Sequence, residues 1–394
     1  MNRIARSLLL LSTLLICAGS MTTGARADEE PPVVRALLDS SAINASARPT
    51  YRSLDVAADG TITLSDLKAT LQPDGEADTA MGYEVATLTL ADVKEISPGL
   101  FEVGAAEWSR MTVTSGDESF AAIPLITGKS VYFRQPGKEP TALERMRASN
   151  VLAKEVAIPE AMMLVAGQAI AFEGLSATWE GDPTTGAGTS RFTARRIHIP
   201  GELFEEDENP LTMAGYDELE LAIEGTTTTT YSDDAFGFDL EMRLDGRDIG
   251  SLIIDLGADG IPLALFGAID AAEPDPDKLL GFADGISFKR ARLRFEDNSL
   301  TGRLLSLMAE VEDTDVDTIV ADTIEGIEVV LEDYADRELA RQVSTAVTAY
   351  LNDPKAITFA LAPKLPVSFD QIMAGLENPM VLIELLQVSV SAND

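Results

Sequence analysis

Three groups of residues in this chain have the types and spacing that chemistry requires. The first is Asp55-Val-Ala-Ala-Asp59-Gly60-Thr-Ile62-Thr-Leu-Ser-Asp66. A calcium loop needs carboxylate oxygens at alternate positions, a glycine at the sharp turn and a bidentate glutamate at position twelve. Asp55, Asp59 and Asp66 would be its metal ligands and Gly60 its turn. Position three is Ala57, which has no side-chain oxygen, and position twelve is the shorter aspartate. Segments on both sides alternate in polarity as strands do, so a hairpin is expected, with a calcium-binding module as the alternative. The second group is Lys289-Arg290-Ala-Arg292-Leu-Arg294. On a strand Arg290, Arg292 and Arg294 share one face, where three guanidiniums hold a phosphate or carboxylate ligand or pair with acidic neighbours. Internal pairing is the expectation in so acidic a chain. The third is His198, the only histidine, next to Arg195-Arg196-Ile197. Any serine–histidine or metal–histidine chemistry must use it, and its surroundings predict either a surface residue or a satisfied one.

No Gly-x-Ser-x-Gly elbow, metalloprotease helix or phosphate loop occurs. The chain is therefore expected not to be an enzyme. A hydrolase using paired carboxylates stays open as an alternative, because spatial pairing is not visible in sequence. Glu202 to Glu208 predicts a solvated loop. Asp313, Asp315 and Asp317 predict a capped helix start, where carboxylates favour the positive end of the dipole.

The elements that must position these residues are mostly strands. From Tyr51 to Glu296 the dominant period is two. Phe236, Phe238, Leu240, Met242 and Leu244 alternate with Gly237, Asp239, Glu241, Arg243 and Asp245, which predicts a strand with one wet face. Val85 to Leu90, Arg110 to Thr114, Ser130 to Arg134, Ala169 to Trp179, Phe192 to Ile199 and Leu219 to Ile223 behave similarly. Ala58-Asp59-Gly60, Ala258-Asp259-Gly260 and Ala283-Asp284-Gly285 repeat a small unit that predicts tight turns. Thr141-Ala-Leu-Glu144 fits a capping box opening a helix to about Leu152, and Pro159 is expected to start a second one to Val165. After Asn298 the period becomes helical. Leu300, Leu304, Leu307, Met308 and Val311 form one stripe, and Val316 through Tyr334 and Leu339 through Tyr350 form two more. Ser299 and Asp315 are the expected caps, and Asn352-Asp353-Pro354 the stop. A strand at 356–361, short helices around Gln371 and Val381, and a last strand at 387–391 close the chain.

The fold class is thus α+β: a long antiparallel β-sheet, free to curve, followed by a C-terminal helical subdomain and closing strands. The expected organisation is a signal peptide at 1–27, an N-terminal arm at 28–50 read as a short helix around Val33 to Leu38 or else a leader, a β-rich domain at 51–297 with a helical insertion near 141–166, and a helical cap at 298–394. The signal expectation rests on Arg3 and Arg6, the apolar run Leu8 to Ile16, and Ala25-Arg26-Ala27 before Asp28. Cleavage there would place the mature chain in the periplasm with no transmembrane helix, since the run is shorter than the roughly 20 residues a span needs. It would also remove Cys17, the only cysteine, so stability must come from the core. A net charge of −35 repels nucleic acid and anionic lipid head groups. No cofactor is expected beyond the calcium alternative.

Phe288-Lys-Arg-Ala-Arg-Leu-Arg-Phe-Glu-Asp-Asn-Ser-Leu-Thr-Gly-Arg-Leu-Leu resembles exported alphaproteobacterial envelope proteins that remain uncharacterised. So does the run from Asn352-Asp-Pro-Lys-Ala-Ile-Thr-Phe to Leu-Leu-Gln-Val-Ser-Val-Ser-Ala-Asn393. The strand-and-glycine-turn pattern looks like AsmA-type β-rich envelope proteins. Neither resemblance implies catalytic residues. Together these observations predict a non-enzymatic envelope protein that binds an apolar ligand or lipid, or scaffolds an envelope protein partner.

Overall fold

In a computed structural model, the residues described are 30–44, 48–71, 81–115, 118–149, 152–204, 209–232, 234–265, 281–334, 337–376 and 378–394. The expected signal segment 1–27 lies outside them. These described residues form a long open antiparallel sheet of 15 strands. They are β1 Ser53–Val56, β2 Ile62–Leu71, β3 Met81–Ser97, β4 Leu100–Ser115, β5 Glu118–Arg134, β6 Leu152–Val165, β7 Gln168–Gly181, β8 Gly188–Pro200, β9 Glu218–Tyr231, β10 Ala235–Gly246, β11 Gly250–Pro262, β12 Ser287–Asp297, β13 Ala356–Leu361, β14 Val367–Ser368 and β15 Val388–Ala392. Spatial order follows chain order to β13 and then β15, with β14 beside β12. The described helices are α1 Pro32–Ser41, α2 Ala142–Ser149, α3 Pro210–Met213, α4 Leu300–Val311, α5 Val316–Tyr334, α6 Arg337–Asn352, α7 Phe369–Leu376 and α8 Pro379–Leu386. Two compact units result: 1–196 with 230–235 and 263–275, and 197–229 with 236–262 and 276–394.

The N-terminal unit owes its core to slips in the period-two pattern. On β2 the buried side chains are Ile62 and Leu64, then Leu67 and Ala69; the phase shifts by one beside Asp66, whose φ is +50°. Tyr83 and Val85 on β3 give way to Leu88 and Leu90, and Met111 and Val113 on β4 lie beyond Arg110, at φ +53°. Pairing passes over Asp66 and Ala86, then Arg110, then Pro124, and resumes in the same register on both sides. A residue in the left-handed region bends its strand. Aligned across neighbouring strands, these residues make a crease that turns the sheet while its apolar side chains stay inside. Phe133, Met163, Ile170 and Phe172 are consequently buried almost completely.

The N-terminal arm is part of this core rather than a leader. Pro32 starts α1, where its missing N–H is harmless, and Val33, Val34, Ala36, Leu37 and Leu38 are buried. Arg48 clamps the helix, donating to Glu30 Oε2 at 2.6 Å and Asp39 Oδ1 at 2.6 Å. Gln135 Nε2 donates to Asp39 at 2.8 Å and the Tyr51 hydroxyl to Glu30 at 2.9 Å.

The helix opened by Thr141 is present, with both capping-box bonds: Thr141 N to Glu144 Oε2 at 2.8 Å and Glu144 N to Thr141 Oγ1 at 3.2 Å. The second expected helix is not. Residues 152–165 are strand β6, with Ala161, Met163 and Val165 buried and Met162 and Leu164 exposed. The run Ala161-Met-Met-Leu-Val165 is apolar throughout and carries no readable period. Pro159 is tolerated in the strand because β5–β6 pairing is interrupted between Ala122↔Met162 and Thr127↔Ala157, where Pro124 also lies.

In the C-terminal unit Leu305, Ala309, Ile319 and Val320 form a small core with Val316, Ile324 and Leu351 against it. The stripe on α5 is at least partly covered from Val316 to Ile327 and reaches solvent at Val330. Asp315 caps α5 as expected, accepting from Thr318 N at 2.9 Å. Ser299 holds the N-cap position of α4 as expected, but its hydroxyl bonds the Asp248 carbonyl, and Asp297 accepts from Thr301 N at 2.9 Å instead. Of the three Ala-Asp-Gly units, only the first is a hairpin turn, with Gly60 at φ +86°. The other two face each other: Gly260 lies at φ +70°, and a Cβ there would meet the Gly285 carbonyl at 2.1 Å.

Candidate functional site

The arginine row of β12 is internally paired. Arg290 donates to Asp239 Oδ1 at 2.6 Å, Lys289 to Asp239 Oδ2 at 2.6 Å, and Arg292 lies 3.5 Å from Asp255. Arg294 reaches Glu296 at 3.0 Å, Thr358 at 3.1 Å and Asp394 at 3.1 Å. Arg243 joins Glu296 at 3.0 Å and Asp245 at 2.8 Å. Gly257 leaves the space that Asp239 crosses, since a Cβ there would lie 2.8 Å from its Oδ1. The hydrogen bond from Arg294 holds the Glu296 carboxyl below its ordinary range against the opposing effect of burial. Asp239 likewise raises the Lys289 ammonium. The three guanidiniums are spent on the sheet itself.

That polar ladder defines the opposite face. Arg290, Arg292 and Arg294 pair with Gly257, Asp255 and Ile253, so Ala291, Leu293 and Phe295 point the other way with Leu256, Ile254 and Leu252. Across the next seam Ala291, Leu293 and Phe295 meet Leu361, Phe359 and Ile357. Phe359 and Leu361 in turn meet Val390 and Val388 of β15. On β10, Asp239 and Arg243 belong to the polar side, which leaves Phe236, Phe238, Leu240, Met242 and Leu244 on the apolar one. Phe236 and Phe238 stack with ring centroids 6.3 Å apart.

The result is an apolar surface across β10, β11, β12, β13 and β15 that is not closed. Leu256 is 36% exposed, Leu293 45% and Phe359 45%, although they sit mid-strand in adjacent strands. Helix α6 packs on β15 and β13 at one margin. There α6, α8 and β15 border an open groove of about 430 Å³ lined by Leu339, Met380, Val381, Ile383 and Val388, with Glu338 and Glu384 among its polar residues. Contiguous exposed apolar surface of this kind marks an interaction site more often than scattered single residues do.

The aspartates of the calcium-like loop are strung along a hairpin. Asp55 pairs in register with Thr63 on β1–β2, Asp59 accepts from Thr61 N at 3.0 Å in the turn, and Asp66 lies 2.9 Å from Arg52. The Thr61 N–H depresses the Asp59 carboxyl. The structure does not bring the three together. It does bring together a group that the sequence reading passed over: His198, Glu218 and Glu220, with ligand atoms all within 4.8 Å of one another. Its legible signal was Glu218-x-Glu220, two carboxylates on one face of a strand. Its unreadable part was that β8 lies beside β9.

A family model described as "Uncharacterized protein" matches residues 243–393. This span holds most of the polar ladder and most of the half-open apolar surface. No curated protein matches the chain. Among the described residues, no helix is long and apolar enough to cross a membrane.

Proposed function

We propose that this is a non-enzymatic, exported envelope protein that holds a lipid by its acyl chains against the apolar face of β10, β11, β12, β13 and β15. The observation that carries this reading is the uncovered row Leu256, Leu293 and Phe359 in the middle of an otherwise continuous apolar face. Five strands at about 4.8 Å spacing give a surface roughly 20 Å across, long enough for an acyl chain lying over the strands. An acidic chain of net charge −35 is repelled by anionic bilayers, which favours capture of single lipid molecules over docking on a membrane surface. Periplasmic location is supported by Arg3, Arg6, the apolar run that follows and the Ala25-Arg26-Ala27 site.

The test is mass spectrometry of organic extracts from the protein purified gently from its native source. A stoichiometric lipid is expected, and Leu293→Lys should remove it while leaving the far-UV circular dichroism unchanged. A blank extract, with a protein cross-linked to the same face in intact cells, would replace this reading with a scaffolding role.

A further inference from the structure

We propose that His198, Glu218 and Glu220 form a binding site for a divalent transition metal of the zinc class. His198 lies on β8, and Glu218 and Glu220 lie two apart on the neighbouring β9, so both carboxylates project from one face. Their ligand atoms all fall within 4.8 Å. Independently, the His198 Nδ1 is buried without a hydrogen-bond partner. It lies 3.9 Å from Glu218 Oε2, too far for a hydrogen bond. A buried imidazole nitrogen left unpaired is costly, and a metal ion is one partner that satisfies it.

The geometry needs little adjustment. Tetrahedral zinc with bonds of about 2.0–2.1 Å sets its ligands about 3.3 Å apart. The Glu218 side chain is exposed and can close that gap. Glu220 is mostly buried and ion-paired with Arg247, which also donates its backbone N–H to the Glu220 carbonyl. Arg247 thus orients the carboxylate from behind, as outer-sphere partners of metal ligands do. An imidazole nitrogen selects zinc-class ions over calcium and magnesium, which take oxygen ligands. Three protein ligands leave the remaining position to water, so the site would fasten β8 to β9 and stay open to exchange.

The experiment is calorimetric titration of the chelator-treated full chain with zinc chloride, and separately with calcium chloride. One zinc equivalent is expected with micromolar affinity, no calcium heat at the same concentrations, and loss of zinc binding in His198→Ala. Glu218→Gln, at an exposed side chain, should weaken zinc at least 10-fold and keeps the test decisive if His198→Ala does not fold. The proposal is overturned by absence of zinc heat in the wild-type protein, or by wild-type zinc affinity in Glu218→Gln or folded His198→Ala.

Discussion

The two units use the same alternation of apolar and polar residues to opposite ends. In the N-terminal unit the apolar face is sealed: Phe133 is 2% exposed and Phe172 1%. In the C-terminal unit the equivalent face leaves Leu293 and Phe359 nearly half exposed. Composition does not separate them, since both faces are built from Leu, Val, Ile and Phe. Backbone geometry does. Strands β2 to β5 carry Asp66, Asp92, Arg110 and Ser130 at positive φ, whereas β10, β12 and β13 carry no such residue and β11 only glycines. A sheet with aligned creases can fold over its own apolar side, and α1 closes what is left. A sheet without them keeps a face that something else must cover.

The largest expected effects test the sealed side of this contrast. Phe133→Ala and Phe172→Ala should each cost about 3–5 kcal/mol in denaturant unfolding. Phe359→Ala on the open face should cost under about 1.5 kcal/mol, because most of its transfer energy is not realised in the isolated chain. Equal losses at Phe172 and Phe359 would abolish the distinction between the faces.

Next comes the clamp that seats α1. Glu30→Ala should destabilise by about 2–3 kcal/mol, less than a fully buried pair because Arg48 is partly exposed. Burial pushes the Glu30 carboxyl up, but hydrogen bonds from Arg48 and Tyr51 outweigh it and hold it below its ordinary value of 4.5. Its stabilising contribution is therefore complete above pH 4.5 and is lost as the pH falls through the lower folded value. Burial, and after it the hydrogen bond to Glu30, pushes the Tyr51 hydroxyl up to about 12. Acid titration of wild type against Glu30→Gln should show the N-terminal unit losing its extra acid sensitivity, and parallel curves would remove Glu30 from the account.

The smallest effects test the creases themselves. Arg110→Gly should stabilise by about 0.5 kcal/mol, since relief of left-handed strain is partly offset by glycine's entropy in the unfolded chain. Arg110→Val should destabilise by about 1–2 kcal/mol. A neutral result for both would mean that the crease is imposed by packing and stores no local strain.

Much of this was legible beforehand. The period of two from Tyr51 onward, the change to a helical period after Asn298, the capping box at Thr141 and the Asp315 cap all rest on short-range spacing. The failures have a common cause. Ala161 to Val165 has no polar residue to reveal its period, so Pro159 reads as a helix start although it sits at a break in strand pairing. Ser299 is the N-cap by position, yet the capping bond comes from Asp297, two residues earlier, because the Ser299 hydroxyl is held by the distant Asp248 carbonyl. The strands holding Arg110 to Thr114 and Ser130 to Arg134 run longer than alternation suggests, because a phase slip at Arg110 or Ser130 resembles a strand end.

By itself, then, the amino-acid sequence determined the class of fold, the change from strands to helices after Asn298, the acidity and the pairing preference of the arginine row, because all of these follow from local spacing and charge. Only the tertiary structure decided which apolar face is sealed, that α1 belongs to the core, and that His198 meets Glu218 and Glu220. Those outcomes depend on which strands become neighbours and where backbone bends align across them, and residues on separate strands carry no mark of that in their own sequence.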